Sequence, residues 1–329
     1  SARGTIPSYY TQQWQKAMAW VRENTDEGAV FAHWWDYGYW VQTMGERATV
    51  LDGGNGIGYW DHLLGRHVLT GQTEREALEF LYTHNATHLL IDSTEIGKYS
   101  AYSSIGSDEN YDRYSQMSVF REDERAMQET KTEKIHLYTG SMFLDKDYLW
   151  QEGKEEIFLP AYKTAIAGVF LSIGNDGEMK QPQAAFIYQG KQITIPMRCI
   201  YYKGKTYDFE EGYGGCLYLI PEVISSEGRF GLKDMSVGLF ITEKSMNALW
   251  VKLYLFNQEE NFKLVHKEDN FFVEELRNQN VEVGDIILFQ EVHGPIKIWK
   301  INYPSDTSFK PEYLDTKYPE NISIAKDVF

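Results

Sequence analysis

The sequence predicts a mixed α/β protein: an α/β core, a small β-rich barrel or sandwich, and a last segment that turns helical again before further strands. Three observations carry this. Over residues 1–141, short apolar runs alternate with helical spacing, the pattern of strand–helix–strand units. Past about residue 142, short strand-like runs are separated by turns containing glycine. Residues 245–256 return to helical spacing, so the chain divides as 1–141, 142–240 and 241–329.

Ile6-Pro7-Ser8 reads as a helix start, with Trp14, Met18 and Val21 at helical spacing before the polar turn 23–28. Residues 29–33 read as a short buried strand. Directly after it comes His33-Trp34-Trp35-Asp36-Tyr37-Gly38-Tyr39-Trp40, with three tryptophans, two tyrosines, one carboxylate and a glycine. A buried strand would use Val and Ile, and a helix would not follow adjacent indoles with Asp and Gly. Two indole N–H donors beside one carboxylate suggest a small polar pocket with apolar walls. The simpler structural reading is that Trp34 and Trp35 fill a core beneath a loop.

Residues 38–44 read as a helix stopped at Gly45, and 47–51 as a second strand. The following Asp52-Gly53-Gly54-Asn55-Gly56-Ile57-Gly58 fits neither a Walker lysine loop nor a dinucleotide fingerprint, and reads as a flexible loop beside the aromatic motif. Residues 73–82 form a clear helix, with Thr73 as cap and Glu76 completing a capping box. Residues 87–91 are the third strand, so Asp36 and Asp92 both follow strand ends, where α/β proteins place ligands. A short helix over 97–105 would set Lys98, Tyr102 and Ile105 on one face, although a lone lysine is usually just solvated. Strands are expected at 156–160, 164–173, 184–189, 192–198 and 216–220, and again at 283–289 and 296–301.

Composition narrows the function. A net charge of -16 without a Lys/Arg cluster argues against nucleic acid. Mean hydropathy is -0.46, and no apolar run approaches the length of a membrane span. The first ten residues lack the apolar stretch of a signal peptide and look like a cut inside a longer protein. Cys199 and Cys216 can form one disulfide in an oxidising compartment, or remain buried thiols. Aromatic residues make up 15% of the chain, a bias that suits recognition of sugars or peptides. Asp145-Lys146-Asp147 opens like a calcium loop but lacks the glycine and glutamate such a loop requires. No Gly-x-Ser-x-Gly elbow occurs.

Trp34-Trp35-Asp36-Tyr37-Gly38, preceded by a Trp-containing helix and Glu23-Asn24-Thr25, resembles the signature of the oligosaccharyltransferase catalytic subunit, nearest its archaeal AglB form. The likeness covers roughly residues 1–140 and resumes at 245–256, which makes the β-rich segment between them an insertion. It implies a soluble, extracytoplasmic domain of a membrane glycosyltransferase that moves a lipid-linked oligosaccharide onto the asparagine of Asn-x-Ser/Thr. The metal, Mn2+ or Mg2+, would be held with its ligands in a membrane domain absent from this chain, which alone would be inactive. Trp34, Trp35 and Asp36 would bind the Ser/Thr hydroxyl, with Tyr37 and Gly38 completing the motif. A second family element, an Asp, two residues, a Lys, three residues and then an Ile or Met, falls on Lys98. At strict spacing its partners are Glu95 and Tyr102; Asp92 and Ile105 have the family's residue types but lie too far along the chain. An Ile105 in the pocket would favour threonine by about 0.8 kcal/mol for the extra methyl. The chain also carries two sequons, Asn85-Ala86-Thr87 and Asn321-Ile322-Ser323. The alternative from another class is a carbohydrate-binding module with a tyrosine-rich surface.

Overall fold

A computed structural model describes residues 10–226, 229–320 and 322–325. The chain opens with α1 (Gln12–Asn24), capped by the Thr11 hydroxyl, which accepts the Trp14 N–H. The start expected at Ile6-Pro7-Ser8 lies outside the described residues. Then follow β1 (Val30–Ala32), α2 (Gly38–Thr43), β2 (Ala48–Thr49), α3 (Gly58–Leu63), α4 (Glu74–Thr83), β3 (His88–Ile91) and α5 (Glu95–Ile105). The capping box of α4 forms between Thr73 and Glu76 as its sequence requires. β1 pairs in parallel with β2 on one side and β3 on the other, with Phe31 opposite His88 and Ala32 opposite Leu89. All four residues of β3 are buried, as expected of a strand covered on both faces.

The chain then leaves the core sheet through β4 (Ser118–Glu122), β5 (Gln128–Glu129), β6 (Glu133–Phe143), the separate hairpin β7 (Tyr148–Glu152) and β8 (Glu155–Leu159), β9 (Ala165–Gly174), β10 (Gln183–Tyr188), β11 (Lys191–Tyr202), β12 (Lys205–Asp208), β13 (Tyr213–Ser226) and β14 (Arg229–Ile241). The ladder runs β11-β10-β9-β6-β4-β14-β13, and β13 pairs back onto β11, closing a seven-stranded barrel. The closing pair is parallel, with Cys199 opposite Cys216, and the two are joined by a disulfide. The barrel has its own apolar interior, including Phe120, Tyr138, Val169, Phe186 and Phe240. Its ladders begin at Ser118, so β4 and β6 draw on residues that composition alone groups with the core.

Residues 245–256 are not one helix. They form α6 (Glu243–Met246), capped by Thr242, and α7 (Leu249–Tyr254), separated at Asn247 and an extended Ala248. The Ser245 N–H goes to the Thr242 hydroxyl as part of that cap, so the polar residues 242–247 make a turn of their own before the apolar run. α7 carries Trp250 edge-on against Tyr99, with ring centroids 5.3 Å apart, and so braces α5. The chain ends with β15 (Phe262–Glu268), α8 (Phe271–Asn278), β16 (Ile287–Phe289), β17 (Glu291–His293) and β18 (Ile296–Ile301). β18 runs antiparallel to β3, and β15 to β18, completing a five-stranded core sheet β15-β18-β3-β1-β2. The result is a mixed α/β core with a closed barrel and a β-rich C-terminal region.

Candidate functional site

β1 and β3 are adjacent and parallel, so their C-terminal ends deliver side chains to one crevice. From β1 the chain passes through extended Trp34 into a single 3-10 turn, Trp35–Tyr37, and on into α2. Gly38 allows this. A Cβ there would lie 2.4 Å from the Asp52 Cα and 2.7 Å from the Leu51 carbonyl oxygen, both backbone atoms. From β3 the chain reaches Asp92 and Glu95, then Lys98 on the first turn of α5.

The two ends meet in an ion pair, with Lys98 Nζ 2.5 Å from Asp36 Oδ2. Both side chains are partly exposed, 35% and 25%, so the pair is reachable from solvent. Lys98 also donates to the Tyr37 hydroxyl at 3.2 Å and sits 4.9 Å from the centre of the Tyr37 ring. Tyr37 is fixed on every side: its ring stacks on Trp14 at 4.9 Å, and its hydroxyl lies 2.5 Å from that of Thr94. Burial pushes its phenol well above the usual range, which keeps it neutral and a donor.

Beneath this pair lie two buried carboxyls. Glu95 Oε2 accepts the Asp92 N–H at 2.9 Å, and Asp92 Oδ1 accepts the Thr94 N–H at 2.7 Å. Burial, with Asp92 close by, raises Glu95 to about 8, and burial raises Asp92 as well. At neutral pH the pair therefore holds a proton, so one positive charge at Lys98 does not face three negative ones.

The indoles divide. Trp34 is 3% exposed and packs 5.7 Å from Tyr102, while Trp35 is half-buried. Neither indole N–H has a hydrogen-bond acceptor among the described residues. His33, wholly buried, donates through Nδ1 to the Trp34 carbonyl, and burial lowers it to about 4. The ring neighbour of Trp34 on α5 is Tyr102 rather than Ile105. Ile105 lies seven residues beyond Lys98, about 10 Å along the helix, with its carbonyl accepting from His62. The glycine-rich loop stands beside the turn. Asp52 accepts from the Gly54 N–H and from Gln42, and with Asp61 it borders a cavity of about 290 Å³. Burial and the nearby Asp52 raise Asp61 to about 7.

Sequence reasoning brought Asp36 and Lys98 forward but gave no role to Trp14, Thr94 or the proton shared beneath them. The signal for Glu95 was present in its three-residue spacing from Lys98. Trp14 gave none beyond its place on an apolar helix face.

Residues 27–145 match the family model described as STT3/PglB/AglB core domain. That matched stretch carries Asp36, Asp92, Glu95 and Lys98. Among individual proteins, the chain is similar to dolichyl-phosphooligosaccharide-protein glycotransferase 1 of Pyrococcus furiosus, 43% identical over 56 residues, 16% of this chain and 6% of that protein. The matched stretch thus spans only a small part of the relative's length. Among solved structures, the C. jejuni pglb C-terminal domain aligns over 88% of this chain and 100% of its own, at 11% identity and a TM-score of 0.41. An Archaeoglobus fulgidus oligosaccharyltransferase tethered to an acceptor peptide with the NVT sequon aligns over 88% of this chain and 33% of its own, at 12% identity and a TM-score of 0.44.

Proposed function

We propose that this chain is the non-membrane domain of an oligosaccharyltransferase, and that its crevice reads the Ser/Thr hydroxyl of an acceptor Asn-x-Ser/Thr. The observation that carries the reading is the Asp36–Lys98 pair. One Asp36 oxygen is held by Lys98 and the other has no partner among the described residues. A hydroxyl is both donor and acceptor, so it can give its proton to Asp36 and accept from an indole or from Lys98. An acceptor lacking the hydroxyl leaves these groups desolvated and unpaired, which costs about 1–3 kcal/mol, roughly 5- to 150-fold. Tyr37 and Gly38 hold the turn that aims Asp36, and Ile105 in this reading adds the apolar contact for a threonine methyl.

This part supplies positioning. Activating a poor amide nucleophile and assisting a pyrophosphate leaving group need further groups. Among the described residues no set of three or more His, Cys, Asp or Glu side chains is placed to hold a metal ion. No helix among the described residues is long and apolar enough to cross a membrane; the lipid-linked donor is assigned to a membrane domain outside this chain. The full enzyme, titrated with an Asn-Val-Thr peptide and an Asn-Val-Ala peptide, is expected to prefer the first by the factor above. Equal affinities would overturn the hydroxyl reading. The isolated chain is expected to form no glycopeptide.

A further inference from the structure

Thr94 directly precedes α5, where a threonine ordinarily accepts one of the helix's first N–H groups. Here it does not. Its backbone is already helical, φ -66° and ψ -18°, and its side chain makes no cap bond. The hydroxyl lies instead 2.5 Å from that of Tyr37, joining the start of α5 to the turn after β1.

The direction of the hydrogen bonds around it follows from what each group can do. The Lys98 ammonium has only protons to give, so at 3.2 Å the Tyr37 oxygen accepts from it. The phenol proton then points elsewhere, and the Thr94 oxygen receives it. The Thr94 hydroxyl proton goes in turn to the Asp92 carboxylate, which also accepts the Thr94 N–H at 2.7 Å. Burial raises the Asp92 pKa, and the Thr94 bonds oppose that rise. The buried pair therefore keeps its charge on Asp92 and its proton on Glu95, whose Oε1 has no partner. The bonds run one way, from Lys98 through Tyr37 and Thr94 to Asp92. Of the three Lys98 N–H groups, one goes to Asp36 and one to Tyr37, which leaves the third for an acceptor hydroxyl.

We propose that Thr94 is a positioning residue for the acceptor site: by taking the phenol proton it turns a Tyr37 lone pair towards Lys98 and fixes the ammonium against Asp36. The assignment rests on the hydroxyl reading above and adds a residue to it. Thr94→Val keeps the shape and removes the acceptor, and its second methyl fills the space a replacing water would need. In the full enzyme this variant should raise KM for the Asn-Val-Thr peptide about 3- to 10-fold, the loss of one hydrogen bond, and shrink the preference over Asn-Val-Ala by the same factor. The effect should fall on KM rather than kcat. Thr94→Ser, which keeps the hydroxyl, should restore both values. In the 329-residue chain, the buried Tyr37 hydroxyl proton should give a slowly exchanging NMR signal in the parent and in Thr94→Ser, and lose that protection in Thr94→Val. Parent-like KM and preference in Thr94→Val, or no recovery in Thr94→Ser, would overturn the assignment. A parent with equal affinity for both peptides would sink the hydroxyl reading instead. The proton signal then decides, and protection persisting in Thr94→Val overturns the Lys98–Tyr37–Thr94 linkage.

Discussion

Gly38 and Gly97 both sit in helices, and substitution by alanine should move stability in opposite directions. Helix propensity alone favours alanine at both positions, by up to about 1 kcal/mol. At Gly97 a Cβ meets nothing within 4 Å, so Gly97→Ala should gain about 0.5–1 kcal/mol. At Gly38 the added carbon would sit 2.4 Å from the Asp52 Cα, where carbon atoms normally rest about 3.5–4 Å apart. The obstacle is backbone, so no side chain can swing aside; overpacking of this kind costs about 1–3 kcal/mol. Displacing Asp52 also endangers the 3.1 Å bond from Gln42, worth about 1 kcal/mol. Steric cost outweighs propensity, and Gly38→Ala should lose about 1–2 kcal/mol overall. Urea unfolding followed by tryptophan fluorescence would show a midpoint lowered by roughly half a molar for Gly38→Ala and raised for Gly97→Ala. A Gly38→Ala midpoint at or above that of the parent would refute the close-packing argument.

Glu95 makes stability depend on pH. Its folded pKa, about 8, lies above its unfolded value, so its contribution is complete below about 4.5 and is lost as pH rises towards 8. Glu95→Gln should therefore be more stable than the parent at pH 8, by on the order of a few kcal/mol, and chemical denaturation at pH 5 and pH 8 checks this. Buried His33, His62, His84 and His88, each lowered to about 4, act in the opposite sense: their contribution is present above 6.5 and falls away as pH drops to 4. Acid titration of the Glu95→Gln variant should therefore still show a loss of stability between pH 6.5 and 4. Asp36→Ala in the full enzyme should abolish transfer while the unfolding free energy stays within about 0.5 kcal/mol of the parent, since the lost ion pair is partly exposed; unchanged turnover would remove Asp36 from the site. Replacing both cysteines by serine should cost about 2–4 kcal/mol, read as a lower denaturation midpoint than that of the oxidised parent.

The parallel strands and their helices were legible because their cues are local: an apolar run, a capping box, a stop at glycine. The Trp34–Gly38 motif stood out for residues that no strand or helix would choose. Lys98 was found by type and spacing, but its 2.5 Å approach to Asp36 arises from β1 and β3 lying side by side, and nothing near either residue encodes that. The break between α6 and α7 was hidden because Met246, Leu249, Trp250 and Leu253 keep helical spacing across it. The start of the barrel was hidden too: β6 alternates burial only loosely, and its register shifts between Thr139 and Met142. The closing β11–β13 pair is parallel, and no short-range pattern announces such a partner.

In the β4–β14 ladder, Ser118 stands directly opposite Phe240. The chain thus leaves for the barrel and comes back at neighbouring points, roughly 5 Å apart as paired strands are. The near wall of the barrel is nonetheless built into the core, since Cys199, Cys216, Tyr218, Val237 and Leu239 belong to the core's own apolar cluster. Lengthening or rebuilding the far strands β6, β9 and β10 leaves that wall and the distance between the two ends unchanged, so the sheet that carries Asp36 and Lys98 need not move when they vary. Such an arrangement lets the module diversify between lineages while the crevice keeps its shape.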